Sequence, residues 1–448
     1  MFERAIIKYL EKWKDRPDRK PLILRGARQV GKTVSVKLFA EKRFKDLIYL
    51  NLEDPDHERL FRSPLSLEEF DKIIQIKFGK ILREGETLLF IDEIQNAPFL
   101  AKLLRFFYEK RPLLHVIAAG SLLEVKLHKE EISFPVGRVE YAYLYPLNFF
   151  EYLEAKKEDR LLHFLNHFSF KENIPEAISQ MAEKFFEEYL FVGGMPEVVQ
   201  HFVEHQNFSD LDRLYHALLT SYAEDTHKYA SLAKVKYLVH CLETAPLFAG
   251  QCITYENFGG SHFRSREMGE ALETLEQAML LHRAMATHQS SLPLTVKNKK
   301  PPKLLFLDVG LVNYRLGLRE KLIPFETMND FYRGKISEQV VGQHLLSLDE
   351  RAQNRMLYWY REHPGSSAEV DFVIVAQGKI IPIEVKSGKT GRLRSLKEFV
   401  KQSGIKKTVR VYRGPFRIEE VSIEGVNFKL ISLPFYLLPR IRECCENV

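Results

Sequence analysis

Four short apolar runs mark the first third of the chain: PLILRG, DLIYLNL, TLLFIDE and LHVIAAGS. Near-continuous apolar runs of this length suit strands buried on both faces of a parallel sheet. The segments between them are long enough for crossover helices. The start, MFERAIIKYLEKWKDR, interleaves charge with apolar positions and reads as an amphipathic helix, not a signal peptide. Over residues 150–230 the spacing turns helical, and EAISQMAEKFFEEYLFVGG stops at a Gly-Gly pair. Next come KVKYLVHCLETAPLFAG, a second helix introduced by ITYENFGG, and an amphipathic third, SREMGEALETLEQAMLLHRAM. A Pro/Lys-rich turn then leads into NKKPPKLLFLDVGL. Three helices and a β-ribbon suggest a winged-helix-like unit, or a small helical subdomain of structural use. From residue 329 the order is helix (ISEQVVGQHLLSLD), strands (YWYRE, EVDFVIVA, KIIPIEVK), helix (LRSLKEFVKQSG) and strand (TVRVYRG), a nuclease-like core. The chain therefore reads as α/β, divided into residues 1–150, a lid-like helical 151–230, a winged-helix-like 231–328 and a nuclease-like 329–448.

Composition narrows the class. With 448 residues, 45% hydrophobic and 28% charged, the chain is globular and long enough for several cores. No run approaches the roughly 18 apolar residues of a membrane span, so no membrane insertion is expected. Cys241, Cys252, Cys444 and Cys445 lack metal-ligand spacing and suggest no disulfide framework, which points to the cytoplasm. The net charge of +6 is mild, but its distribution is uneven. Between Lys389 and Arg417 lie Arg392, Arg394, Lys397, Lys401, Lys406, Lys407, Arg410 and Arg413, with Glu398 the only acid. A second run comprises Lys297, Lys299, Lys300 and Lys303. Such stripes either neutralise phosphates or form a solvated surface.

The segment Gly26-Ala27-Arg28-Gln29-Val30-Gly31-Lys32-Thr33 matches G-x-x-x-x-G-K-[ST]. A strand with Leu22, Ile23 and Leu24 precedes it, and a helix with Val36, Leu38 and Phe39 follows; residues Gly26 to Thr33, with Val34, are the expected nucleotide-binding stretch. The glycines let backbone N–H groups turn inward around phosphates. Lys32 reaches the β- and γ-phosphates of ATP, and the Thr33 hydroxyl ligates Mg²⁺. The helix adds the positive end of its dipole. At the end of LLFIDE, Asp92 is placed to hold Mg²⁺ and Glu93 to polarise an attacking water. Ser121, after HVIAAG, suits sensing of the γ-phosphate or capping of the next helix. Arg138 is a candidate for stabilising transition-state charge, with a plain surface arginine as the alternative.

A second candidate centre lies near the C-terminus. Strand alternation puts Glu384 and Lys386 on one face, and a hairpin can bring Asp371 beside them. Two carboxylates and a backbone carbonyl suit a second Mg²⁺, or Mn²⁺. Lys386 would stabilise developing charge, and Glu338 would complete the metal site. An inert version, kept for binding, is the alternative.

The motifs RGARQVGKT, LLFIDEIQNAP, AAGSLLE, FPVGRV, YPLNFFEYL, FVGGMPEVV, FLDVGLVNYRLG and EVDFVIV…IPIEVKSG occur in that order. In this the chain resembles prokaryotic AAA-superfamily P-loop ATPases that carry a C-terminal domain of unknown function of restriction-endonuclease type. That core usually has Pro before its Asp; Val370 stands there in this chain. The resemblance implies an AAA ATPase core, a winged-helix-like middle and a restriction-endonuclease-like end. Residue by residue it implies an ATP site at Gly26, Gly31, Lys32, Thr33, Asp92 and Glu93, and a nuclease-like site at Asp371, Glu384 and Lys386. The expected activity is ATP hydrolysis coupled to action on nucleic acid, DNA rather than RNA, with metal-dependent cleavage as a further expectation. The alternative is a nucleotide-controlled switch or scaffold, with a protein partner or a second copy of the chain.

Overall fold

Each apolar run serves two cores at once. In the computed structural model, which describes residues 2–120, 137–318, 330–349, 351, 355–362, 368–388 and 393–447, Leu22 and Leu24 face one cluster and Ile23 the other. Leu88 and Phe90 repeat the pattern against Leu89 and Ile91. A strand with a core on each face has no polar side to show. The strands are Leu22–Arg25 (β1), Asp46–Asn51 (β2), Thr87–Asp92 (β3), His115–Gly120 (β4) and Glu140–Tyr143 (β5). They run parallel in the order β2-β3-β4-β1-β5. Edge strand β5 reads EYAY and is only partly buried, so no apolar run announces it. The N-terminal helix forms over Ile6–Asp15 and buries Ile6, Ile7, Leu10 and Trp13 in the cluster that contains Leu22.

The second sheet changes the expected division of the chain. Its strands are Gln251–Cys252 (β6), Leu281–Thr287 (β7), Lys303–Phe306 (β8), Leu357–Tyr360 (β9), Glu369–Ala376 (β10), Lys379–Val385 (β11), Lys407–Tyr412 (β12), Arg417–Ile423 (β13) and Val426–Pro434 (β14). Their order is β13-β14-β12-β11-β10-β9-β7-β8-β6. The first half of β7 pairs antiparallel with β8, and its second half pairs parallel with β9. The ribbon expected to project as a wing is thus built into the sheet of residues 329–448, where Ala284, Ala286 and Thr287 are buried. The expected second helix of that unit is a single turn, Phe258–Gly260. The third, Ser265–Gln277, carries Glu267, Glu270, Glu273 and Glu276 against Arg266 alone. An acidic helix repels phosphates, so it is not suited to entering a DNA groove. The β13–β14 hairpin was not legible as strands, because β13 sits at the sheet edge with alternate residues exposed.

One buried carboxylate ties these parts together. The helix Glu176–Val192 ends at Gly193, whose φ of +66° and ψ of −167° suit glycine almost exclusively. The next residue, Gly194, donates its N–H to Asp308 Oδ2 at 2.7 Å. Asp308 Oδ1 accepts from the N–H groups of Gly310 (2.9 Å) and Leu311 (3.3 Å), capping the helix Val309–Arg315. Gln343 Nε2, on the helix Asp330–Ser347, donates to Oδ2 at 3.2 Å. Burial nevertheless pushes the Asp308 carboxyl up from 3.8 to about 6. The folded state therefore holds this proton more tightly than the unfolded chain does. The resulting stabilisation is present below about pH 4 and is lost as pH rises through about 6. Denaturant titrations of wild type and Asp308→Asn are expected to show it. The stability difference, wild type minus variant, falls across that window and is flat above it.

Candidate nucleotide site and C-terminal acidic centre

The phosphate loop leaves the C-terminal end of β1 and is shaped by its glycines. A Cβ on Gly26 would lie 2.5 Å from Leu144 O, and Gly31 adopts φ +95°. Gln29 also has positive φ, +66°, as the loop turns. Ala27 and Val30 are buried, whereas Val34 is exposed on the helix Lys32–Arg43. The Lys32 ammonium is folded inward and donates to the carbonyls of Gly26 (3.0 Å) and Ala27 (2.9 Å). Burial pushes it below the usual lysine range, against the pull of Glu93 and Asp92. Thr33 Oγ1 donates to Asp92 Oδ2 at 2.6 Å, and Tyr49 donates to the same oxygen at 3.2 Å. Burial raises the Asp92 carboxyl. Glu93, in a left-handed conformation at φ +54°, accepts from Gln95 Nε2 and faces the cavity.

That cavity, of about 660 Å³, lies between the loop and the helical region. Pro196, Gln200, His201 and Arg213 line its far side. The residues present fit Mg·ATP: a glycine-turned loop that lines the cavity, a lysine, and a Thr–Asp pair at hydrogen-bond distance.

Four partners of the loop, Arg4, Glu53, Asp225 and Tyr222, were not legible in sequence. Arg4, nearly fully buried, donates from Nη1 to Val30 O at 2.9 Å and from Nη2 to Tyr145 O at 2.7 Å. Its Nε pairs with Glu151 Oε1 at 2.8 Å. Arg28 turns away from the cradle to Asp225 (2.9 Å) and Glu53 (3.0 Å). Tyr222 donates to Arg28 O at 3.1 Å. The available signal was Arg4 itself, a charge directly before the apolar face of the first helix.

One expectation is not met at this site, and another lies beyond what the structure describes. Ser121 falls outside the described residues. Arg138 lies at the wrong end of the sheet. Gly137 and Glu140 bond Lys20 and Pro21, which precede β1, whereas the loop follows β1. Within one chain Arg138 cannot reach the phosphates, and its Nε is held by Glu109 at 2.9 Å.

The C-terminal acids do converge, but around a lysine. Lys303 Nζ lies 2.6 Å from Glu338, 3.3 Å from Glu369 and 3.3 Å from Asp371. Asp371 Oδ2 accepts the Val385 N–H at 2.7 Å. Lys386 pairs with Glu384 Oε1 at 2.6 Å, and Glu384 Oε2 is buried with no hydrogen-bond partner among the described residues. Burial and the neighbouring Asp371 raise the carboxyls of both Glu384 and Glu338. Burial opposes the charge on Lys303, yet Glu338, Asp371 and Glu369 hold its pKa well above the usual value. Among the described residues no group of three or more His, Cys, Asp or Glu is disposed to hold a metal ion. The metal expected on Glu338, Asp371 and Glu384 therefore does not fit the set as arranged, because an ammonium already sits among the carboxylates.

The basic stripes are also partly spent internally. Lys397 pairs with Glu398 and Glu424, and Arg413 pairs with Glu183 and Glu187. Lys407 donates to Cys445 O, and Arg410 to Ser432. Lys401 and Lys406 remain exposed. Lys389 and Arg392 fall outside the described residues.

Residues 18–153 match the family model of an AAA domain. The loop and the Thr33–Asp92 pair lie inside that match. This part of the chain is an AAA-type P-loop domain. Residues 183–322 and 333–436 match two domains of unknown function, DUF8612 and DUF4143. No curated protein matches the chain. Among solved structures the chain is similar to the RuvB Holliday junction branch migration motor of Thermotoga maritima. That likeness has 16% identity and a TM-score of 0.27, and covers 66% of this chain and 93% of RuvB. A signal transduction ATPase with numerous domains from Pyrococcus horikoshii shows 14% identity and a TM-score of 0.25, over 75% of this chain and 45% of that one. No described helix is long and apolar enough to cross a membrane.

The Arg4 clamp makes a testable link between the start of the N-terminal helix and the phosphate loop. Arg4→Ala leaves the buried Glu151 carboxylate without its cation, with the Ala5 and Asn148 N–H groups as its remaining donors among the described residues. The expected cost is about 3–5 kcal/mol in denaturant unfolding. Weakened ATP binding in the folded fraction should accompany it, read by calorimetric titration.

Proposed function

We propose that the chain is a Mg²⁺-dependent ATPase that acts on nucleic acid. The observation that carries the ATPase reading is the Thr33–Asp92 contact at 2.6 Å, beside Glu93 and the phosphate loop. Mg²⁺ held by Thr33 and Asp92 would neutralise charge on the β- and γ-phosphates. Lys32 would exchange its two loop carbonyls for phosphate oxygens. Glu93 would orient and polarise the attacking water, which Gln95 helps by fixing the carboxylate. Lys32→Ala is expected to abolish tight Mg·ATP binding. Glu93→Gln is expected to bind ATP as well as wild type and lose at least 100-fold in turnover. Wild-type turnover in Glu93→Gln would remove Glu93 from this role.

The nucleic-acid reading is supported by a groove of about 570 Å³ lined by Lys379, Lys406, Lys407 and Lys429, with Glu420 the only acid among its described lining residues. The exposed ammonium groups of Lys379 and Lys406 along this groove suit a phosphate backbone, with DNA as the substrate first tested. Reversing Lys379, Lys401 and Lys406 to Glu should weaken DNA binding. Each lost phosphate contact should lower the log–log salt slope by about 0.9 on duplex DNA. Unchanged affinity and slope would favour the second reading, a nucleotide-controlled switch. The Arg28–Asp225 pair supports that reading, because it ties the phosphate loop to the helix Leu211–Tyr229, which leads into the middle of the chain. ATP-dependent assembly without DNA-stimulated turnover would establish it.

A further inference from the structure

Lys303 comes from β8, outside the C-terminal segment, yet it is the centre of that segment's acidic cluster. Its side chain is 2% exposed. Glu338, Glu369 and Asp371 surround the ammonium, and the rings of Tyr358 and Phe372 lie 5.6 and 5.3 Å from it. The backbone cannot easily withdraw it, because β8 is paired on both sides, with Cys252 and Ala284 opposite Lys303. The carboxylates are also committed. Asp371 gives one oxygen to Lys303 and the other to the Val385 N–H. Glu384 gives one oxygen to Lys386, and its Oε2 has no hydrogen-bond partner among the described residues.

We propose that Lys303 is a built-in cation that closes the Glu338–Asp371–Glu384 centre to divalent metal, and that removing its ammonium opens a metal site there. The reason is charge balance in a low-dielectric space. Buried carboxylates that close together need a positive charge between them. A metal ion meets that need in an open centre. Here a covalently tethered ammonium meets it without a binding equilibrium. A divalent ion would have to expel a buried lysine into apolar surroundings, where an unpaired charge is strongly disfavoured. With the ammonium gone, Glu338 and Asp371, which approach it at 2.6 and 3.3 Å, and the neighbouring Glu384 supply hard oxygens that would have to draw together to hold Mg²⁺ or Mn²⁺. The C-terminal part of the wild-type chain then acts by binding and positioning, without metal-dependent cleavage. This goes beyond the ATPase reading and does not depend on it.

The test is Mn²⁺ titration of the full chain without nucleotide, followed by electron paramagnetic resonance of free Mn²⁺. Wild type, Asp371→Asn, Lys303→Met and the double variant are compared, so that any Mn²⁺ on the phosphate loop cancels. Wild type and Asp371→Asn are expected to titrate alike. Lys303→Met is expected to gain one site at least tenfold tighter than background, which the double variant loses. An Asp371-dependent site in wild type overturns the proposal. So does a folded Lys303→Met that gains none. Thermal melting checks folding. If Lys303→Met does not fold, Lys303→Gln, which keeps a donor toward the carboxylates, replaces it under the same two criteria. The wild-type comparison can overturn the proposal by itself.

Discussion

Asp308 holds together elements that the chain places far apart. A buried carboxylate without donors is costly, so its four N–H contacts fix the positions of what donates them. Those donors are Gly194, Gly310, Leu311 and Gln343. Gly194 in turn accepts the Leu147 N–H at 2.7 Å, and Leu147 lines the nucleotide cavity. There is no room to vary this junction: a Cβ on Gly194 would lie 2.2 Å from Leu147 O, and one on Gly193 would lie 2.2 Å from Asp308 Oδ1. Gln343 carries the network to the helix that also bears Glu338. The phosphate loop and the acidic centre are therefore joined through packed, hydrogen-bonded structure. One hydrophobic cluster spans the same distance, from Ile6 to Cys445.

Buried charges do two different jobs in this molecule. Arg4 and Glu151 satisfy each other and hold the phosphate loop by its Val30 carbonyl. Their net effect on stability is small against a hydrophobic pair, but they fix geometry, which a greasy contact would leave loose. Glu151 also closes the capping box of the helix Phe149–Ala155, so one carboxylate serves a helix start and an arginine. Lys303 instead neutralises. It spends its charge on acids from β10 and a neighbouring helix, which fastens the middle strands to the C-terminal sheet. The same lysine that makes the β7–β9 junction coherent thereby changes what chemistry the acidic centre can support.

The sequence by itself determined whatever depends on contiguous residues. The cradle from Gly26 to Thr33 needs only its own backbone, the strand before it and the helix after it. Strands β1, β3 and β4 are buried on both faces, and that burial is written as unbroken apolar runs; edge strand β2 keeps its run, DLIYLN, although only Ile48 and Leu50 are fully buried. Asp92 and Glu93 emerge at a strand end for the same local reason. Tertiary structure decided the rest, because partners distant in sequence leave no local mark. Edge strands β5 and β13 are half solvated and lack a run. Arg138 looked close to the nucleotide along the chain, but a parallel sheet puts the start of β5 at the end opposite the loop. Lys303 looked like one of a surface run, although the uninterrupted LLFL after it fits a strand buried on both faces. Its inward side chain and three carboxylate partners exist only because β7 pairs with β9. Whether four acids near the C-terminus face a metal or an ammonium is thus a matter of which strand lies beside them, and that register is set by packing across the whole molecule.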